Sequence, residues 1–320
     1  MNPALRTGLI LCFAVAAAAA MNLQLGAVNL PFTAVLQGLQ SGHENYFIVH
    51  ELRLPRLLLA LIVGASLALA GVLVQGVIRN PLASPDLLGV SQGASLAAVI
   101  LIALYPEVSS LWLPVVSLLG ALGAALILWL LCGRHASPIK IAITGVALAA
   151  FYASAIDFVM LTRPQNLNDA LLWLTGSLWG RSWEQLWLVL PAVALMPLAV
   201  GLCQRLNLNN LGDDYATTLG SAVPQTRFMA LALAVGLTAA SVAVCGPIGF
   251  IGLMAPHLAR RLVGGRHQRL IPVAMLTGAL LLLLADLATR IIKPPIELPA
   301  GIMTAILGGP YFIYLLKKVR

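Results

Sequence analysis

Three stretches, residues 57–78, 111–133 and 228–259, contain no Asp, Glu, Lys or Arg. Runs of this length constrain the fold more than any other feature. A helix needs about 20 predominantly apolar residues to cross a hydrocarbon layer about 30 Å thick. A single soluble core has no room for several such segments. Inside a bilayer every backbone N–H and C=O must be satisfied within the protein, which leaves helices or a closed barrel. Barrel strands would alternate polar and apolar residues over about ten positions. These runs are continuous, so the chain is read as all-α and polytopic.

Composition agrees. Of 320 residues, 60% are hydrophobic and 9% charged, against about 25% charged in soluble domains. About ten spans are expected, at 8–25, 57–77, 87–105, 111–132, 139–161, 186–203, 228–245, 250–263, 271–291 and 300–316. The eighth is short and suits a partial span. The first follows Arg6 like a signal peptide. It is long enough to span and lacks a small-x-small cleavage site before a polar region, so it is read as a retained helix.

Charge sets the expected orientation. Ten crossings with a cytoplasmic N-terminus place thirteen Lys and Arg residues inside and six outside, in keeping with the positive-inside rule. Both termini are then cytoplasmic. The net charge of +8 reflects topology. Its basic residues are scattered over separate loops, which argues against nucleic-acid binding. Segment 170–179, apolar and Trp-rich, suits a helix at the membrane interface. Segment 205–227 is the most polar of the chain; its 211–220 core suits one or two short helices with Asp213 and Asp214 in a first turn.

Chemical motifs are few. There is no GxxxxGK[ST], HExxH or GxSxG pattern, so neither a P-loop nor a hydrolase site is expected. Cys12, Cys132, Cys203 and Cys245 form no CxxC pair and read as packing residues. The five histidines form no ligand set. Asp286 precedes Arg290 by four residues, so a helix would bring them together. Intramembrane acids are too few and too shallow to favour a proton-driven carrier. Gly and Pro break the chain at 80–85, 245–252, 255–257 and 293–299. Such breaks either line a path or make tight turns and close helix contacts.

Several stretches together resemble the FecCD family of binding-protein-dependent permeases, importers of vitamin B12 and iron siderophores. They are 52–56 (LRLPR), Gly71 with Gln75, 79–90 (RNPLASPDLLGV), 144–148, 173–180, Leu219-Gly220, 246–253 with Pro256-His257, 284–286, 297–299 and Gly308. Within the family the likeness is greatest to ferric dicitrate permeases, at 163–165 and 170–181. The resemblance implies a type II importer (BtuC-like) fold over residues 1–320, one permease domain, in a bacterial inner membrane. It implies a homologous permease subunit as partner, in a heterodimer, with two ATPase subunits and a periplasmic binding protein. No cofactor is then expected on this chain; ATP and Mg belong to the ATPase.

Roles follow residue by residue. Arg53, Arg56 and Arg290 match arginines that pair with acids of the binding protein, although basic residues at helix ends also snorkel to the interface. Asn80 and Leu82 match a cytoplasmic gate, with Ser137 as partner across the pore; a helix-ending turn would look similar. Leu211, Gly212, Asp213, Asp214, Tyr215, Ala216, Thr217, Thr218, Leu219 and Gly220 match the coupling segment, within about 206–226, that docks on the ATPase. The cargo implied is a ferric chelate, foremost iron(III) dicitrate. Haem, cobalamin or another siderophore remain alternatives within the class, and an ion-coupled carrier outside it.

Overall fold

The computed structural model describes residues 3–109, 111–133, 136–294 and 296–318. Arg134 and Arg320 of the charge count, and His135 of the histidines, lie outside the described residues. Fourteen α-helices and no strand occur among them. In order they are α1 (Pro3–Gln24), α2 (Phe32–Gln37), α3 (Leu54–Ile78), α4 (Val90–Leu104), α5 (Trp112–Cys132), α6 (Pro138–Thr162) and α7 (Leu167–Leu174). There follow α8 (Trp183–Gly201), α9 (Cys203–Asn209), α10 (Asp213–Thr218), α11 (Val223–Cys245), α12 (Ile251–Val263), α13 (His267–Ile291) and α14 (Ala300–Lys318).

Each of the ten expected spans coincides with one helix. Seven of the helical segments are long and apolar enough to cross a membrane; α4 and α14 are shorter apolar helices, and α12 runs only from Ile251 to Val263. The folds at their ends are chemically specified. Proline opens α3, α6 and α11, where a missing N–H costs nothing. At α8, the Ser182 backbone N–H and hydroxyl both donate to Gln185 Oε1.

One boundary moves. A π-helical turn, Phe47–Arg53, runs directly into α3, so helix begins ten residues before the expected 57. Pro55 stands in the first turn of α3 and therefore does not break it. The helix expected over 170–179 is displaced: α7 starts at Leu167 and ends at Leu174, and residues 175–179 are not helical; it turns Ala170 and Trp173 inward and leaves Leu172 exposed.

α3 is the axis of the fold. It packs against α13, α11, α12 and α8. Two crossings bring backbone to backbone. A Cβ on Gly71 would overlap the Gly252 carbonyl of α12, and one on Gly64 or Gly278 would strike the other's backbone across α3 and α13. Small residues permit this approach, which maximises dispersion contact where lipid supplies no hydrophobic drive between helices. By contrast α1, α5, α6 and α8 show much of their length outward, with Phe13, Leu130, Phe151, Leu161 and Trp187 exposed. An apolar exterior of this kind suits lipid or a partner helix.

Candidate functional site

At the end of the bundle where α3 begins, charged side chains close into a buried junction of α1, α3 and α13. Arg56 donates through Nε and Nη2 to Asp286 Oδ1 at 3.0 and 2.9 Å, and through Nη1 to Glu297 Oε2 at 2.6 Å. Arg290 reaches Asp286 Oδ2 at 3.1 Å, one turn along α13. It also donates to the Asn22 backbone carbonyl at 3.1 Å and to the Asn22 side-chain oxygen. Arg53 donates to the Leu23, Gln24 and Val28 carbonyls. It thereby satisfies acceptors that the end of α1 leaves without intrahelical partners.

The i, i+4 pairing of Asp286 and Arg290 was legible in the sequence; the rest was not. Arg53, Arg56 and Arg290 are all buried, at 8%, 9% and 5% exposure. None stands as a free surface cation in this chain. Asn22 and Glu297 are members that sequence reasoning did not find. Asn22 is an isolated polar residue near the end of an apolar helix, and that was the available signal.

Nearby the chain breaks converge. The Ser177 N–H donates to the Cys245 carbonyl at 2.7 Å, and the Gly301 N–H to the Gly176 carbonyl at 3.0 Å. These bonds tie the end of α7 to the end of α11 and the start of α14. Phe250 enters α12 in a left-handed conformation, φ 68°, and its ring occupies the space a side chain at Gly308 would need. An open groove of about 500 Å³ lies here, lined by Leu174, Pro247, Phe250, Gly301 and Ile306. Its walls carry no charge.

At the opposite end lie the segments expected to form a gate and a coupling element. Asn80 Oδ1 accepts from the Leu82 N–H at 2.9 Å, and the Ala83 N–H donates to the Asn80 carbonyl at 3.1 Å. The turn is pinned again where buried Gln75 donates to the Ala83 carbonyl at 3.2 Å. Ser137 opens α6, its hydroxyl accepting from the Lys140 N–H at 3.2 Å. No hydrogen bond joins Asn80 or Leu82 to Ser137 among the described residues.

Within residues 211–220, Asp213–Thr218 form α10, preceded by Gly212 at φ 110°. Its Ala216 is buried, while Leu211, Tyr215 and Leu219 are exposed at 59%, 72% and 61%. The three line a shallow apolar hollow with Thr218. This apolar patch lies on the most polar connection of the chain. Asp213, in the first turn, holds two cations: Arg79 on Oδ1 and Arg227 on Oδ2, the latter at 3.1 Å. Partial burial raises its carboxyl, but hydrogen bonds from Arg79 and Arg227 and their charges outweigh this. The group is held below its ordinary value.

No group of three or more His, Cys, Asp or Glu is placed to hold a metal among the described residues. Cys132, Cys203 and Cys245 are buried, and Cys12 is exposed along α1.

Comparison with known proteins adds a family. The family model for FecCD, the "FecCD transport family", matches residues 11–318. The chain is 52% identical to the Fe(3+) dicitrate transport system permease protein FecD of Escherichia coli K12, over 98% of both chains. It is 44% identical to the Fe(3+)-citrate import system permease protein YfmE of Bacillus subtilis, over 97% of this chain and 94% of that one. A solved metal-chelate type ABC transporter in an inward-facing conformation matches with a TM-score of 0.86 and 31% identity, over 98% of this chain and 99% of the other.

Proposed function

The chain belongs to the FecCD transport family, and from that membership we propose that it is the permease subunit through which an ATP-binding-cassette importer moves iron(III) dicitrate into the cytoplasm. The observation that carries the substrate is the identity with FecD, 52% across 98% of both chains. The chain itself supplies no nucleotide motif, so the energy comes from partner ATPases that hold ATP and Mg. It binds no cofactor of its own.

The partners are a homologous permease subunit, two ATPase subunits and a periplasmic binding protein. The exposed face of Leu211, Tyr215 and Leu219 supports docking of α10 on an ATPase. Both termini are then cytoplasmic, with Asn80, Leu82 and Ser137 at the inner gate. The Arg53, Arg56 and Arg290 junction lies at the outer mouth and receives the binding protein. An acidic group of that protein would compete with Glu297 for Arg56, because Glu297 is the more exposed of its two acids, at 19% against 2% for Asp286. An anionic chelate meets basic groups at this mouth and the uncharged groove of Phe250 and Ile306 beneath it.

Uptake of radiolabelled ferric citrate into proteoliposomes tests the reading. The vesicles carry this chain with its co-encoded permease, ATPase and binding protein. ATP-dependent uptake is expected. Uptake of haem, cobalamin or a hydroxamate chelate instead would move the substrate within the family. Uptake driven by a proton gradient without ATP would overturn the mechanism.

A further inference from the structure

Asp213 is not an isolated surface acid. Its two arginines tie it to the two segments matched to the gate: Arg79 adjoins one, and Arg227 of α11 bonds the other. Arg79 is the residue immediately before Asn80 and stands in a left-handed conformation, φ 57°. A non-glycine residue seldom adopts this conformation without something holding it. Its guanidinium is bonded to Asp213. Arg227, in the first turns of α11, bonds Asp213 at 3.1 Å through Nη2 and the Ala136 carbonyl at 2.7 Å through Nη1. Ala136 is the residue immediately before Ser137. One carboxylate at the start of α10 thus reaches both gate segments, each within one residue of a gate position.

The exposure of the members grades inward. Asp213 is 45% exposed, Arg79 30% and Arg227 12%. The acid sits on the outside and moves with α10, whereas Arg227 is packed into the bundle. Ion pairs this exposed exchange readily with water. Such pairs add little to the stability of the fold, so the arrangement suits a link between α10 and the bundle more than a bridge that holds the fold together.

Resting on the permease reading, we propose that Arg79, Asp213 and Arg227 are positioning residues that transmit displacement of α10 to both gate segments: through Arg79 to the turn at Asn80 and Leu82, and through Arg227 to Ala136 and Ser137. When an ATPase moves α10, the shared carboxylate moves with it. The gate segments then shift together, and neither opens alone.

The test uses the complete transporter in proteoliposomes and reads molecules of ATP hydrolysed per ferric citrate taken up. Arg79→Gln and Arg227→Gln, neither on the ATPase-docking face, are compared with wild type. The expected result is ATP hydrolysis within about twofold of wild type and a ratio raised at least tenfold. Asp213→Asn is expected to raise the ratio likewise, and the exchange of Asp213→Arg with Arg227→Asp to lower it part of the way back. A wild-type ratio in both arginine variants overturns the proposal, as does a parallel fall in hydrolysis and uptake at constant ratio. Wild-type vesicles that show no ATP-dependent uptake would instead overturn the permease reading, so the two failures are distinct.

Discussion

Arg56 of α3 and Asp286 of α13 face each other through three nitrogen–oxygen contacts of 2.9–3.1 Å. Their side chains are 10% and 2% exposed. Asp286 also takes Arg290, so one carboxylate is shared by two guanidinium groups where α3 and α13 meet, and Glu297 supplies the second negative charge on Arg56.

Asp286→Asn would leave Arg56 with Glu297 alone and Arg290 with only Asn22 and backbone carbonyls. Removing one partner of a buried pair costs about 3–5 kcal/mol. We expect a markedly lower midpoint of thermal unfolding in detergent, measured by tryptophan fluorescence. Arg56→Gln should cost less, because Arg290 still neutralises Asp286. Equal destabilisation by the two would contradict the shared-carboxylate description.

Glu297→Gln separates docking from architecture. Loss of this acid leaves Arg56 paired with Asp286 but exposes a positive field at the rim. If the binding protein presents acids there, its dissociation constant for the reconstituted transporter should fall several-fold, and the gain should shrink with added salt. An unchanged constant, measured by surface plasmon resonance, would leave the junction with a purely internal role.

Gly71→Ala and Gly123→Ala make a matched pair, both being glycine to alanine within an apolar helix. The first drives a methyl group into the Gly252 carbonyl, whereas the second meets nothing within 4 Å. Overpacking costs about 1–3 kcal/mol, and relief of helical glycine gains about 1 kcal/mol. The unfolding midpoint should fall for Gly71→Ala and hold or rise for Gly123→Ala.

Acidity should loosen the Asp213 contacts only at low pH. Folding depresses this carboxyl, so its ion pairs are fully present above the ordinary value of about 3.9. They are lost as pH falls through the depressed value. The ratio of ATP hydrolysed to ferric citrate imported should therefore stay flat from about pH 8 to about pH 5 as far as this group is concerned. A midpoint near neutrality that disappears in Asp213→Asn would contradict the sign of the shift.

The ten helices could be read from the sequence because the bilayer fixes the length of an apolar run, and length survives without any knowledge of packing. The early start of helix at Phe47 could not. Residues 47–53 contain His50, Glu51 and Arg53, and the turn is held by long-range contacts: Arg53 on the end of α1, Val49 against Leu30 and Val35, and the Trp183 indole N–H donating to the His50 carbonyl. The same limit hid the charge network. Asp286 and Arg290 are neighbours on one helix, but Arg56 lies 230 residues from Asp286 and Arg79 134 from Asp213. Pairings at such separations are set by helix packing, which no local pattern encodes. The docking expectation for Arg53, Arg56 and Arg290 treated them as outward-facing cations, and the sequence did not disclose that each already has partners inside the chain.

The contacts of Gly64 with Gly278 and of Gly71 with Gly252 have a mechanical consequence. Where two backbones touch there is no side chain between them to change rotamer, so α3, α12 and α13 cannot slide past one another by repacking. They form a stator. On the coupling proposed above, the strokes of a transport cycle are carried by elements outside it, α10 and the turns beside it. Spectroscopic labels on α3 would report a stationary frame against which those strokes can be measured.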